Sequence, residues 1–145
     1  MIDFIARKNI MKKINAVIFA AIAFAFTSCQ SQELAIPPEA TSLEIIQQAQ
    51  TAFDKGNRKR AIECYETLIQ RYGNNPAIYV EARYEIAHIY VKQKKYKEAE
   101  PILAELKEIY DSSAPGMLPG AYRKMALNDY AKVKENLKKS REEKK

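Results

Sequence analysis

The chain has few of the residues from which catalytic and metal sites are commonly built. Its 145 residues include two cysteines, one histidine, four glycines and no tryptophan. Two cysteines cannot form a disulfide-rich framework, and with one histidine they fall short of a four-ligand zinc site. Four glycines leave little room for a glycine-rich phosphate-binding loop. The length allows one ordinary domain, for which we expect no metal and no dissociable cofactor.

The positive charge is concentrated at the two ends of the chain. The net charge is +6, and residues 1–28 carry four basic and one acidic residue. Residues 29–131 carry 13 basic and 14 acidic residues, whereas residues 132–145 carry seven and three. A nucleic-acid-binding domain would place its charge on the folded part, so we expect no nucleic acid as a partner.

The first 28 residues have the anatomy of a signal peptide. Lys12 and Lys13 precede the mostly apolar stretch Ile14–Phe26, which small residues follow. That stretch is shorter than the ~20 apolar residues of a spanning helix. It also lacks the polar face of a buried core helix, the alternative interpretation. The signal is complete from Met11, which is therefore an alternative start.

The segment Phe26-Thr27-Ser28-Cys29 resembles a bacterial lipobox, although Phe26 replaces the usual leucine. The resemblance implies cleavage before Cys29 and attachment of lipid to its thiol and amine, the only prosthetic group that we expect. Several acyl chains would anchor the protein stably in a membrane. Gln30 stands where aspartate marks inner-membrane retention in some bacteria, which favours the outer membrane, facing the periplasm. The alternative is an ordinary core cysteine.

The rest of the chain contains a repeat with a period of 38 residues. Residues 29–40, with Pro37 and Pro38, predict an extended tether, and Thr41 with Glu44 predicts a helix-capping box. The predicted units are residues 41–75 and 76–113, a C-terminal helix within 114–139 and a basic tail at 140–145. The matched pairs are Ala49 and Ala87, Ala61 and Ala99, Leu68 and Leu106, and Tyr72 and Tyr110.

This pattern resembles the tetratricopeptide repeat, in particular that of envelope lipoproteins of the outer-membrane assembly type. The family places small residues where the paired alanines stand, and large residues at the positions of Tyr65 and Leu103. Gly56 matches its turn glycine, whereas Lys94 replaces that glycine in the second unit. The resemblance implies an all-α fold: antiparallel helix pairs in a right-handed solenoid of two repeats, closed by a C-terminal capping helix.

The resemblance also implies that the concave face of the first helices binds partners. We expect other envelope proteins or an amphipathic peptide there, because the face is largely apolar and lacks the Lys and Asn of the carboxylate-clamp subclass. The alternative is that this face packs against the C-terminal helix. The predicted residues are Leu43, Ile46, Gln50 and Phe53 in the first unit, and Glu81, Tyr84, His88 and Val91 in the second.

No residues form a catalytic pattern in the sequence. Cys64 lies on the same helical stripe as Ala61 and Leu68, which predicts a buried, unreactive thiol. His88 has no Ser, Cys or Asp placed by sequence to complete a nucleophilic set. The leading hypothesis is a lipid-anchored scaffold for protein–protein interaction in the bacterial envelope. The alternatives are a structural subunit of a large periplasmic assembly (motor, secretion or outer-membrane biogenesis) and a cell-wall-active enzyme.

Overall fold

A computed structural model describes residues 35–143, which form five α-helices and contain no strand. The predicted signal peptide, Cys29, the first part of the tether and the last two residues lie outside this range. The helices are α1 (Ser42–Asp54), α2 (Arg58–Tyr72), α3 (Pro76–Lys92), α4 (Tyr96–Ser112) and α5 (Gly120–Glu142). The predicted all-α fold of helix pairs is confirmed. None of the described helices has the length and apolar character needed to cross a membrane.

The 38-residue period appears directly in the helix bounds and turns. Helices α1 and α3 end 38 residues apart, and α2 and α4 begin 38 residues apart. In the first turn the Asn57 N–H donates to the Ala52 carbonyl at 2.9 Å, and in the second the Lys95 N–H donates to the Tyr90 carbonyl at 2.9 Å. The two turns therefore have the same backbone hydrogen bond, although their sequences differ.

The turns also share a left-handed residue. Gly56 has φ 81° and Lys94 has φ 58°. Glycine adopts this conformation without cost, whereas a residue with a Cβ atom is strained there. The glycine that the sequence lacks in the second unit is therefore replaced by a strained lysine in an unchanged turn.

Consecutive helices pack against each other, and α5 also packs on α3. Alanines allow this close packing, because a methyl side chain keeps two helix axes near each other. Tyr65 and Leu103, which are 2% and 0% exposed, fill the space beside them. Cys64 is 0% exposed, as predicted. The four alanines of the repeat, each 0% exposed, are Ala49, Ala61, Ala87 and Ala99.

The helix ends differ in part from the sequence expectation. Thr41 and Glu44 form the predicted capping box at the start of α1. Helix α5 continues to Glu142, three residues into the predicted basic tail. Pairs four residues apart extend it, since Lys139 lies 2.6 Å from Glu135 and Lys138 lies 3.9 Å from Glu142.

The described end of the predicted tether is attached to α2. The Arg71 guanidinium donates to the Pro37 carbonyl at 2.6 Å, and the Tyr72 hydroxyl donates to the Ala40 carbonyl at 2.8 Å. The Ala40 side chain is 4% exposed and belongs to the core. The chain therefore reaches α1 along a fixed path from the C-terminal end of α2.

Substitutions in the two turns should change the free energy of unfolding in opposite directions. Replacing Lys94 with glycine should raise the free energy of unfolding by about 1 kcal/mol, because it removes the strain at positive φ. Gly56→Ala should lower it by about the same amount, although its Cβ atom would meet nothing within 4 Å. Urea unfolding measures both changes. Equal stability of all three proteins would show that the turns carry no backbone strain.

Candidate interaction surface

The second-unit half of the predicted concave face is covered by α5. Tyr84 is 5% exposed and Val91 is 3% exposed. The Tyr84 ring lies 5.7 Å from the Tyr122 ring of α5, centre to centre. The Tyr84 hydroxyl also donates to an Asp129 carboxylate oxygen at 3.3 Å. For Tyr84 the alternative interpretation, packing against the C-terminal helix, describes the structure, and Val91 is buried as well.

His88 takes part in the same contact. Its Nδ1 atom lies 2.7 Å from Asp129 Oδ2, so the ring donates from Nδ1 to the carboxylate. Its ring also stacks on Tyr84, with 5.5 Å between the ring centroids. Burial would raise the pKa of Asp129, but the hydrogen bond and charge of His88, with the Tyr84 hydroxyl, outweigh burial and lower it. Asp129 therefore remains a carboxylate that holds α5 against α3.

Two further carboxylates lie beneath α5. The Tyr122 hydroxyl donates to Glu81, and burial together with that negative charge raises the pKa of Tyr122. Burial raises the pKa of Glu85, while His88 partly offsets the effect. This polar cluster links two helices and leaves Glu81 and His88 with partners inside the chain.

The first-unit half of the predicted face is more open. Leu43 is 62% exposed, Gln50 is exposed, and Ile46 is half-buried. Phe53 is partly covered, because the Arg58 guanidinium carbon lies 3.9 Å from the centre of its ring. Leu43, Ile46 and Gln50 therefore form the part of the predicted face that is available to a partner.

The structure reveals a second surface that the sequence analysis missed. The backbones of helices α2 and α4 do not approach each other closely, and the gap between them is a groove with α3 as its floor. Its two adjoining cavities measure about 470 and 360 Å³ and share Glu66 and Tyr90. The apolar lining consists of Ile62, Ile69, Tyr79, Ile86, Tyr90 and Ile102. We call this surface the α2–α4 groove.

Polar groups in the α2–α4 groove remain available. The Nε atom of Arg83, a donor, and the Oε1 atom of Gln93, an acceptor, are buried without hydrogen-bond partners in the described part of the chain. Glu66 and Glu98 are exposed there, and neither forms an ion pair within residues 35–143. Because a buried polar atom without a partner is costly, a ligand that offers both an acceptor and a donor would be stabilised here.

One sequence signal could have located the groove. Ile62 and Ile69 are seven residues apart, so they share one side of α2, next to the buried stripe of Ala61 and Leu68. The periodicity gives no indication that α4 lies too far away to cover them, because this depends on how the helices cross.

The described residues provide little for metal or nucleophilic chemistry. Within residues 35–143 no three His, Cys, Asp or Glu side chains are grouped to hold a metal ion. Cys64 is fully buried, and His88 is bound by Asp129 and Tyr84. The described side chains are arranged for packing and contact.

The contact of Asp129 with His88 predicts acid-dependent stability. Asp129→Asn should lower the free energy of unfolding by about 1–2 kcal/mol at neutral pH, because a charged hydrogen bond is lost. The folded-state pKa of Asp129 is lowered, so its contribution is fully present above the ordinary value of about 4 and disappears as the pH falls below it. Urea unfolding at pH 7 and pH 3 should therefore show a difference that shrinks in acid.

The control for this measurement is Asp111→Asn. Asp111 pairs with Lys107 and Arg123 at an exposed site, where ion pairs contribute little. We expect it to leave stability nearly unchanged at both pH values. An Asp129→Asn protein as stable as the unaltered chain at pH 7 would contradict the proposed role of this contact.

Comparisons with known proteins also indicate a repeat that is built from helix pairs. A family model for the tetratricopeptide repeat matches residues 52–116. An uncharacterized protein of Treponema pallidum (strain Nichols) is 30% identical over 131 residues, which are 90% of this chain and 52% of the relative. The chain thus spans about half the length of that relative. No solved structure gives a significant match. The chain is similar to tetratricopeptide-repeat proteins, scaffolds that generally mediate protein–protein interactions and are generally non-catalytic.

Proposed function

We propose that this chain is a lipid-anchored scaffold that binds another protein of the bacterial cell envelope. The observation that supports the scaffold is the α2–α4 groove, an open surface in a fold whose helix pairs are similar to a protein-interaction repeat. The anchor rests on the sequence alone, where a signal-like segment ends at Cys29. The lipid would hold the protein at the membrane, on the periplasmic side of the outer membrane.

The lining of the groove indicates the chemistry of the partner. Isoleucine and tyrosine side chains form its floor, so an apolar side chain of the partner would be buried there. The lining carries both signs of charge, but Arg83 is paired with Glu105 and Lys59 with Glu63. Glu66 and Glu98, on opposite walls, have no ion-pair partner within residues 35–143, which favours a lysine or arginine of the partner beside that apolar residue. We therefore expect a peptide segment that combines apolar residues with at least one basic residue.

The two unpartnered polar atoms fit the backbone of such a segment. Arg83 Nε can donate to a peptide carbonyl, and Gln93 Oε1 can accept from a peptide N–H. Arg83 is itself held by an ion pair with Glu105, whose other oxygen accepts from Tyr79. The donor is therefore positioned before a ligand arrives, which reduces the entropy cost of binding.

The open part of α1 supports a second candidate function, a structural subunit of a large periplasmic assembly. Among the described helices the backbone of α1 lies close to α2 alone, and Leu43 stands exposed on it. A neighbouring subunit could cover that face. Isolation of the protein from its membrane separates the two functions, because an adaptor retains one dominant partner whereas a structural subunit remains in a large complex of fixed stoichiometry.

Incorporation of radiolabelled palmitate in cells tests the proposed lipid anchor. The label should enter the protein, and Cys29→Ala should abolish its entry, because Cys29 is the proposed attachment site. Cys64→Ala is the matched control and should retain the label, since that thiol is 0% exposed. A protein that takes up no label, or takes it up equally after Cys29→Ala, would disprove the anchor.

Charge reversal in the groove tests the binding surface. Glu66→Lys should reduce the amount of partner isolated with the protein roughly ten-fold, because lysine would face the basic residues of the partner. Glu108→Lys reverses an exposed charge on α4 outside the groove and is the matched control. Quantitative mass spectrometry of material isolated from membranes gives the ratios. An equal loss of partner in both variants, or no loss in either, would argue against the groove as the binding surface.

A further inference from the structure

The helical array has two ends, and several helix termini lie side by side at each of them. Adjacent helices are antiparallel, since tight turns join them and they pack consecutively. The start of α1, the end of α2, the start of α3, the end of α4 and the start of α5 therefore lie at one end of the array. We call it the anchor end, because Ile36–Ala40 is attached there through Arg71 and Tyr72. The opposite end, with the turns at Gly56 and Lys94, is the turn end.

The exposed large hydrophobic residues of the described part all lie toward the anchor end. Leu43, 62% exposed, is the second residue of α1. Met117, 73% exposed, lies in the connection between α4 and α5, and Met125, 37% exposed, is in the second turn of α5. Exposed apolar side chains at one end of a polar domain are stabilised when a membrane or another protein removes them from water.

The turn end has no exposed large hydrophobic residue within residues 35–143. Both turns are rich in lysine, and these side chains are exposed to water. Both ends carry exposed charges, but within residues 35–143 only the anchor end also bears exposed large hydrophobic side chains, as the side of a protein that meets a membrane surface would. The exposed lysines in and beside the two turns are Lys55, Lys59, Lys92, Lys94, Lys95 and Lys97.

Covalent geometry limits how the turn end could approach a lipid on Cys29. Six peptide steps join Cys29 to Ala35, and a chain of that length spans at most about 22 Å. Helix α2, with 15 residues, is about 22 Å long. Because residues 36–40 are held at the anchor end, the turn end could meet the bilayer only if those steps were fully stretched along the helix. The anchor end meets it without such stretching.

We propose that the anchor end lies against the bilayer, with the side chains of Leu43 and Met117 in the lipid headgroup region. This inference rests on the proposed lipid at Cys29. The arrangement turns the lysine-rich end away from the membrane. It also sets the helix axes steeply to the bilayer plane, so that the α2–α4 groove opens sideways, where a partner protein can reach it.

Fluorescence quenching tests this orientation. The full-length protein is expressed with Cys64→Ala and one further cysteine, isolated from membranes with its lipid, and labelled with an environment-sensitive dye. The label is placed by Leu43→Cys or Met117→Cys at the anchor end, and by Lys59→Cys or Lys97→Cys as controls at the turn end. All four positions are exposed, so the fold should tolerate the changes. The labelled proteins are reconstituted into vesicles of phosphatidylethanolamine and phosphatidylglycerol containing brominated lipid.

We expect the anchor-end dyes to be quenched at least roughly two-fold more than the turn-end dyes, because bromine quenches only at short range. The difference should persist in high salt, since apolar contact is not screened. Equal quenching at both ends would overturn the proposed orientation. Stronger quenching at the turn end, lost in high salt, would overturn it in favour of lysine binding to anionic lipid.

The mass of the Cys29 peptide, measured first, separates this inference from the proposed function. A peptide without lipid contradicts the anchor and, with it, the orientation. A lipidated protein whose dyes are equally quenched contradicts the orientation alone and leaves the anchor intact.

Discussion

The close approach of neighbouring helices is the constraint on which the rest of the structure depends. Four fully buried alanines, two in each helix pair, leave room for it, while Tyr65 and Leu103 fill the space beside them. Because the pairs are alike, their turns fall at the same end and have the same hydrogen bonds, even where lysine must take the place of glycine. This repetition gives the domain two chemically different ends.

The second repeat carries an additional layer. Helix α5 covers the inner face of α3 through Tyr122 and the contact of Asp129 with His88, whereas α1 has no described helix over the equivalent positions. The domain is therefore closed on one side and open on the other. Its accessible surfaces are the exposed face of α1 and the α2–α4 groove, and the groove suits contact with another protein.

The amino-acid sequence predicts the repeated part of this fold well. Alanine spacing and the capping box at Thr41 predict the helices, because these features act between near neighbours in the chain. The 38-residue period then indicates that one helix pair is repeated. The contact between His88 and Asp129 joins residues 41 positions apart, so periodicity could not decide whether the concave face was open. The groove depends on the distance between two helices, and the attachment of Pro37 to Arg71 depends on the path of an irregular segment. Neither has a periodic signal.

The central claim is that the chain binds a protein partner at the membrane, and in-cell photo-crosslinking tests it most directly. A photoreactive amino acid at Gln70, an exposed position of the α2–α4 groove, is compared with one at Glu108 on α4 outside it. The account predicts that Gln70 crosslinks to one envelope protein, through a segment with basic and apolar residues, and that Glu108 does not. Crosslinks to the same proteins from both positions, or no crosslink from either position, would contradict it.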